Sequence, residues 1–307
     1  MPSLQLSRSG LNDRLSPSDL AAASHFFRKN HYVKFRGFLD DGLKKFIRND
    51  LLGSSVGRYE DTGGSERELQ NSKSADLLFF LMNDPKLLKR IEKITDSLRI
   101  HSFYGRCYQL DPDFNDYMGW HDDVRDARRV GATINLSSVP YSGGTLEMRT
   151  KGKTRARALL NKTFGDLLIF KISPKFEHCI TPVRGTRLKT ALSGWFRSSK
   201  ESFLNNAEVL KNKRALWHAP ETFTIRLSRA VTWRREKNRT LILDVSQRKY
   251  YRLNPTAADI WHMITQKRPV NFIIKKLQED YQVPEKKLVE ETRGFISALY
   301  HSGIVQS

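Results

Sequence analysis

Apolar positions along the first hundred residues recur mostly at helical spacing. A Ser-Pro start followed by "DLAAASHFFRKN" predicts a helix from residue 17 to about 30. "HYVKFRGFL" predicts a short strand, and "DDGLKKFIRNDLL" a second helix. Residues 53–74, "GSSVGRYEDTGGSERELQNSKS", show neither period and are rich in Gly, Ser and charge, so a long loop of the kind that covers a site is expected there. Two more helices should follow, "ADLLFFLMND" and "PKLLKRIEKITDSL". From about residue 100 the period shortens. "RIHSFYGRCYQL", "GATINLSSV", "GGTLEMRT", "FGDLLIFKI" and "TRLKTALSGWFR" are short alternating or apolar runs punctuated by Gly, Pro and Asp, a series that predicts an antiparallel sandwich or barrel.

A second change falls at residues 200–221, which are polar and broken at Pro220; a linker is expected over 201–217. After it come strand-like pieces, "FTIRLS", "AVTWRR", "TLILDV" and "KYYRL". Three helical patterns follow, "PTAADIWHMI", "VNFIIKKLQEDY" and "PEKKLVEETRGFISALYHSG". The expected organisation is a mainly β domain with flanking helices over 1–200, its core at about 100–198, and a small α+β domain over 218–307.

Composition narrows this only slightly. Of 307 residues, 39% are apolar and 28% charged, as in ordinary globular chains, and no apolar run is long enough to span a membrane. The first twenty residues lack a compact apolar segment followed by small residues, so no secretion signal is expected. The two cysteines, Cys107 and Cys179, are most simply free thiols, which points to a reducing cytoplasm. The net charge of +20 is the extreme value, and it favours an acidic partner: nucleic acid, an anionic membrane surface or an acidic peptide. Its densest patch, "MRTKGKTRARALLNK" at 148–162, reads as a basic loop or hairpin between strands.

Candidate chemistry begins with "GWHDDVRD" at 119–126. With 8 histidines and 33 acidic residues, chance alone supplies about one His-x-Asp/Glu pair, so His121 and Asp123 mean little by themselves. Two residues apart on an extended segment, they would point to one face and could reach one cation. His178, in "FEHCITPV", offers a third ligand. Two histidines and a carboxylate form the facial triad of non-haem iron oxygenases, which leaves positions open for a cosubstrate and O2. Arg187 follows on "TRLKTALSGWF", where an arginine fork could grip a carboxylate.

The pieces "WHDD", "YSGGTLEM", "FGDLLIF" and "HCITPVRGTRLKTALSGWF" resemble the double-stranded β-helix (jelly-roll) core of the Fe(II)/2-oxoglutarate dioxygenases, most of all the prolyl-4-hydroxylase-like group. The resemblance implies that His121, Asp123 and His178 bind Fe(II) and that Arg187 binds the distal carboxylate of 2-oxoglutarate. It also implies a hydroxyl from Tyr108, or alternatively Tyr104, on that carboxylate, Trp195 near the cosubstrate, and Asp122 off the metal. The implied reaction consumes 2-oxoglutarate and O2 and hydroxylates a C–H bond. "LILDVSQRKYYRLNPTAADIWHMI" and the helices after it resemble the PqqD-like proteins, the recognition elements of ribosomal-peptide-modifying enzymes, in a winged-helix-like fold. In that family a leader peptide adds a strand beside the third strand and packs on the last helix. By resemblance, Tyr250, Tyr251, Arg252, Phe295 and Leu299 would contact it. The combined expectation is hydroxylation of a precursor peptide with an acidic leader. The alternatives are an oxygenase acting on nucleic acid, in the manner of AlkB-type demethylases, and a binding protein without catalysis.

Overall fold

Helices begin where their caps predict. Ser16 accepts from the Asp19 backbone N–H while Asp19 reaches back, a capping box ahead of Pro17–Asn30 worth about 1 kcal/mol. Asp84 accepts from the N–H groups of Lys86 and Leu87 ahead of Pro85–Thr95, whose Leu87, Leu88, Ile91 and Ile94 are buried. Between these helices, Asp41–Leu51 and Lys73–Met82 complete the helical layer. The buried amide of Asn83 pins that layer to the sheet: its Nδ2 donates to the Phe103 carbonyl and its Oδ1 accepts from the Phe103 N–H.

The computed structural model describes residues 4–51, 54–61, 64–70, 72–97, 99–125, 127–199, 208–209, 225–236 and 239–306. Two units divide the chain, Met1–Glu201 and Ser202–Ser307. The first is built on a large, curled antiparallel sheet of the double-stranded β-helix kind. Among the described residues its hydrogen-bonded path runs Arg157–Leu159, Leu146–Thr150, Phe176–Ile180, Met118–His121, Gly64–Gln70, Ser102–Leu110, Lys189–Arg197, Arg128–Asn135, Leu167–Lys171 and Tyr32–Phe35.

The expected loop at 53–74 is instead a hairpin, Ser55–Asp61 paired with Gly64–Gln70. Its alternation is hidden because two of the second strand's inward positions are Gly64 and Glu66. Glu66 is buried and accepts from both Arg106 Nε and Arg106 Nη2, the latter at 2.9 Å. The polar lining of a cavity thus replaces the apolar face that the period-2 rule looks for. A second hairpin, Leu4–Ser7 with Gly10–Asp13, lies ahead of the first helix, where no element was expected.

In the second unit the strands run Glu208–Val209, Lys249–Leu253, Arg239–Asp244 and Val231–Glu236, followed by the helices Pro255–Thr265, Val270–Asp280 and Glu285–His301. Trp261, Ile242, Tyr251, Leu253, Phe295 and Leu299 form its core. Of the expected linker, only Glu208–Val209 lies within the described residues; it pairs in parallel with Tyr251 and Arg252. No helix among the described residues is long and apolar enough to cross a membrane.

Candidate active site

Strand pairing brings the two histidines together. Met118–His121 lies antiparallel to Phe176–Ile180 with His178 directly opposite His121, and the imidazole centroids are 4.3 Å apart. Residues facing one another across an antiparallel pair share a face, so the register places both rings on the same side. Buried Asp116 fixes the approach to this strand. It accepts from the Asp111 N–H at 2.9 Å, Ser65 Oγ at 2.6 Å and Arg58 Nη2 at 3.0 Å, tying the 55–70 hairpin to the loop before Met118.

Asp123 arrives by a different route from the extended segment expected. The strand ends at His121, and Asp123 has φ +57°, the left-handed region that Asp tolerates better than most residues. That turn brings Asp123 Oδ2 to 3.7 Å from His121 Nε2 and 3.3 Å from His178 Nε2. One ligand atom from each of the three residues lies within 4.8 Å of the others.

Neighbouring groups hold these ligands in a metal-ready state. His121 Nδ1 donates to the Gly119 carbonyl at 2.7 Å, which leaves the Nε2 lone pair available. Burial first, and then the neighbouring His178, lower the His121 pKa and favour the neutral, ligating form. Burial alone would raise the Asp123 pKa. The hydrogen bond and charge of His178, the Trp195 indole and His121 outweigh it and hold the carboxyl below the usual range. Arg128 Nη1 donates to Asp123 Oδ1 at 2.6 Å, and Trp195 Nε1 donates to Oδ2 at 2.6 Å. The Arg128 guanidinium in turn lies 3.5 Å over the Trp195 ring. Trp195, expected near the cosubstrate, therefore grips a triad carboxylate.

A cavity of about 750 Å³ opens over the triad and is also lined by Lys189, Tyr108, Thr133 and Ser193. Arg187 does not line it. Arg187 is exposed and precedes the strand Lys189–Arg197, so the face it was expected to share begins two residues later. Lys189 holds the first position of that face. It is 6% exposed, has no carboxylate partner among the described residues, and its Nζ lies 5.8 Å from the Tyr108 ring centroid. A buried cation without an anion is costly unless a ligand supplies one, so the chemistry of this position suits a carboxylate. Tyr108 is buried on the same wall, with its hydroxyl 3.4 Å from Ser193 Oγ, whereas Tyr104 is exposed and stacks on Trp195. Asp122 turns away and pairs with Lys151 at 2.7 Å.

Burial, aided by the charge of Lys162 and opposed by Glu66, pushes the Lys189 pKa down to about 7. Below that pH the amine is already charged and an anion binds without proton uptake. Above it each bound anion must bring a proton, so affinity falls by up to about tenfold per pH unit. The dissociation constant for 2-oxoglutarate should accordingly rise between about pH 7 and pH 9, as followed by calorimetry; a flat profile would contradict this role for Lys189.

In the second unit, Tyr251, Phe295 and Leu299, expected to contact a peptide, are buried in the core. Strand alternation leaves Tyr250 and Arg252 half-buried on the other face.

The 2OG-Fe(II) oxygenase superfamily model matches residues 105–197, and the model for coenzyme PQQ synthesis protein D (PqqD) matches residues 239–305. No curated protein matches significantly. Similar solved structures include a 2OG-Fe(II) oxygenase family oxidoreductase from Burkholderia pseudomallei, at 14% identity over 64% of this chain and 97% of that one, TM-score 0.46. A Pseudomonas putida prolyl-4-hydroxylase aligns at 21% identity over 59% of this chain and 99% of its own, TM-score 0.46. A lasso peptide synthetase B1 complexed with the leader peptide aligns at 19% identity over 28% of this chain and 100% of its own, TM-score 0.27. The candidate iron site His121–Asp123–His178 lies inside the segment that matches the 2OG-Fe(II) oxygenase model, which supports a dioxygenase, and a PqqD-like segment follows it in the chain.

Proposed function

We propose that the protein hydroxylates a residue of a ribosomally synthesised precursor peptide whose leader is captured by the C-terminal domain. His121, Asp123 and His178 hold Fe(II), Lys189 binds the distal carboxylate of 2-oxoglutarate, and Tyr108 borders the same subsite. The observation that carries this reading is a buried lysine without a carboxylate partner among the described residues, sharing one cavity with a two-histidine, one-carboxylate triad. Iron with 2-oxoglutarate and O2 supplies an oxidant that inserts one oxygen atom into a C–H bond as 2-oxoglutarate becomes succinate and CO2. The chain's own residues do the rest. Arg128 and Trp195 orient Asp123, the Gly119 carbonyl fixes the His121 tautomer, and Phe170, with its ring centroid 4.7 Å from that of His178, walls the site against water. Two buried cysteines, Cys107 and Cys179, are free thiols, as suits a reducing cytoplasm.

Peptide rather than small-molecule substrate is favoured by the PqqD match, since that family resembles peptide-capturing domains. Among the described residues, the strand Lys249–Leu253 pairs on one side with Glu208–Val209. A leader strand adding at that edge would gain main-chain hydrogen bonds along it. Tethering the leader then raises the effective concentration of the target residue at the iron. The test uses the full chain, Fe(II), 2-oxoglutarate and a precursor peptide encoded beside the gene. The peptide should gain the mass of one oxygen atom, and trimming its leader should raise KM by about tenfold or more. Equal processing of trimmed and intact peptides would refute leader capture.

A further inference from the structure

The basic segment 148–162 takes no part in the iron site, yet it reaches the edge of that site. Leu146–Thr150 and Arg157–Leu159 form a hairpin with Met148 opposite Arg157, and residues 151–156 between them are all exposed. Two contacts anchor this hairpin beside the triad. Lys151 Nζ lies 2.7 Å from Oδ2 of Asp122, the residue between His121 and Asp123. Arg149 pairs with Glu177 at 2.7 Å and lies 3.8 Å over the ring of Trp120, which lines the cavity. The Lys151 N–H also donates to the Lys175 carbonyl at 2.9 Å, setting another exposed lysine alongside. The side chains of Lys153, Arg155 and Lys175 have no anionic partner among the described residues, and exposed Arg125 lines the cavity. Among the described acidic residues of these strands and their turns, Asp122 and Glu177 are already paired, leaving Glu147.

We propose that this hairpin, with Lys175 and Arg125, is a docking track for an acidic stretch of the peptide substrate between its leader and the oxidised residue, a proposal that rests on the peptide-hydroxylase reading. Extended chain advances about 3.3 Å per residue, so a row of cations over a six-residue turn suits several successive carboxylates. Single-stranded nucleic acid would need open aromatic faces for base stacking. The hairpin itself carries no aromatic residue, and its own cations lie over rings beside it: Arg149 over Trp120 at 3.8 Å and Arg157 over Tyr32 at 4.7 Å. The track would give the substrate a second anchor, on the oxygenase domain itself, independent of the strand edge of the PqqD domain.

A fluorescent ten-residue oligoglutamate and a thymidine oligonucleotide of equal charge, each titrated against the full chain over a salt series, test this. Oligoglutamate should bind with an affinity that falls as salt rises, and the double reversal Lys153→Glu/Arg155→Glu should weaken it by about tenfold or more. Both positions are exposed and clear of the triad, so succinate formation without peptide should stay unchanged in that variant. Undiminished oligoglutamate affinity in the double variant, or binding of the oligonucleotide alone, would overturn the proposal. A hairpin that binds oligoglutamate in a protein that oxidises no precursor peptide would uphold the acidic track and overturn only the functional reading. Oxidation of a precursor with the same KM in wild type and double variant would do the reverse.

Discussion

Lys189→Met should raise the KM for 2-oxoglutarate by about a hundredfold or more, whereas Arg187→Ala should leave it within about twofold. Lys189 is 6% exposed, and its stem lies among Tyr108, Ala191 and the cavity wall, so methionine of similar length fills the same space. The variant loses only the charge. Removing one partner of a buried ion pair costs on the order of 3–5 kcal/mol, which corresponds to a loss of affinity of about two to nearly four decades. Free of cosubstrate, the variant should be no less stable than the parent, because it no longer buries a cation without an anion. Arg187 is exposed ahead of the strand, where solvent screens its charge. Succinate formation measured against 2-oxoglutarate concentration separates the two residues. An Arg187→Ala defect larger than that of Lys189→Met would reverse the assignment.

His121→Ala should abolish peptide-dependent succinate formation and lower Fe(II) affinity by about a hundredfold or more. Of the three candidate ligands it gives the cleanest variant. Its side chain is 32% exposed and its hydrogen bond goes only to the Gly119 carbonyl. Asp123→Ala, by contrast, would strip partners from Arg128 and Trp195 at a cost of about 1–3 kcal/mol for each buried donor, mixing a stability loss with the chemical one. Metal content after dialysis, measured beside an unchanged circular dichroism spectrum, isolates the ligand effect. Full turnover by His121→Ala would remove this residue from the iron site.

Much of this site was legible in the residues, and the places where it was not have physical causes. His121, Asp123 and His178 stood out because their order and surrounding strand pattern agreed, and the register of His178 opposite His121 brings them together. Arg187 and Lys189 have the same strand parity and compete for the role of cosubstrate cation. Alternation cannot choose between them; only the point where the strand begins can, and pairing with Ser102–Leu110 sets it at Lys189 opposite Leu110. The 55–70 hairpin was read as a loop because its buried face carries Gly64 and Glu66, matched to a polar cavity. Tyr251, Phe295 and Leu299 lie in the core rather than on an open face, for the opposite reason. A peptide-binding edge is made by backbone, while conspicuous aromatic and aliphatic side chains on the same elements fill the core. Helices with explicit caps, such as those at Ser16, Asp84 and Asn254, needed no tertiary information to be placed.

Anaerobic titration of the full chain with Fe(II) and then 2-oxoglutarate tests the central claim most directly. A cosubstrate chelating iron held by His121, Asp123 and His178 should produce a weak visible charge-transfer band that saturates at one equivalent. In Lys189→Met the same band should require about a hundredfold more 2-oxoglutarate. Absence of the band in folded wild-type protein saturated with both components would contradict the iron and 2-oxoglutarate site.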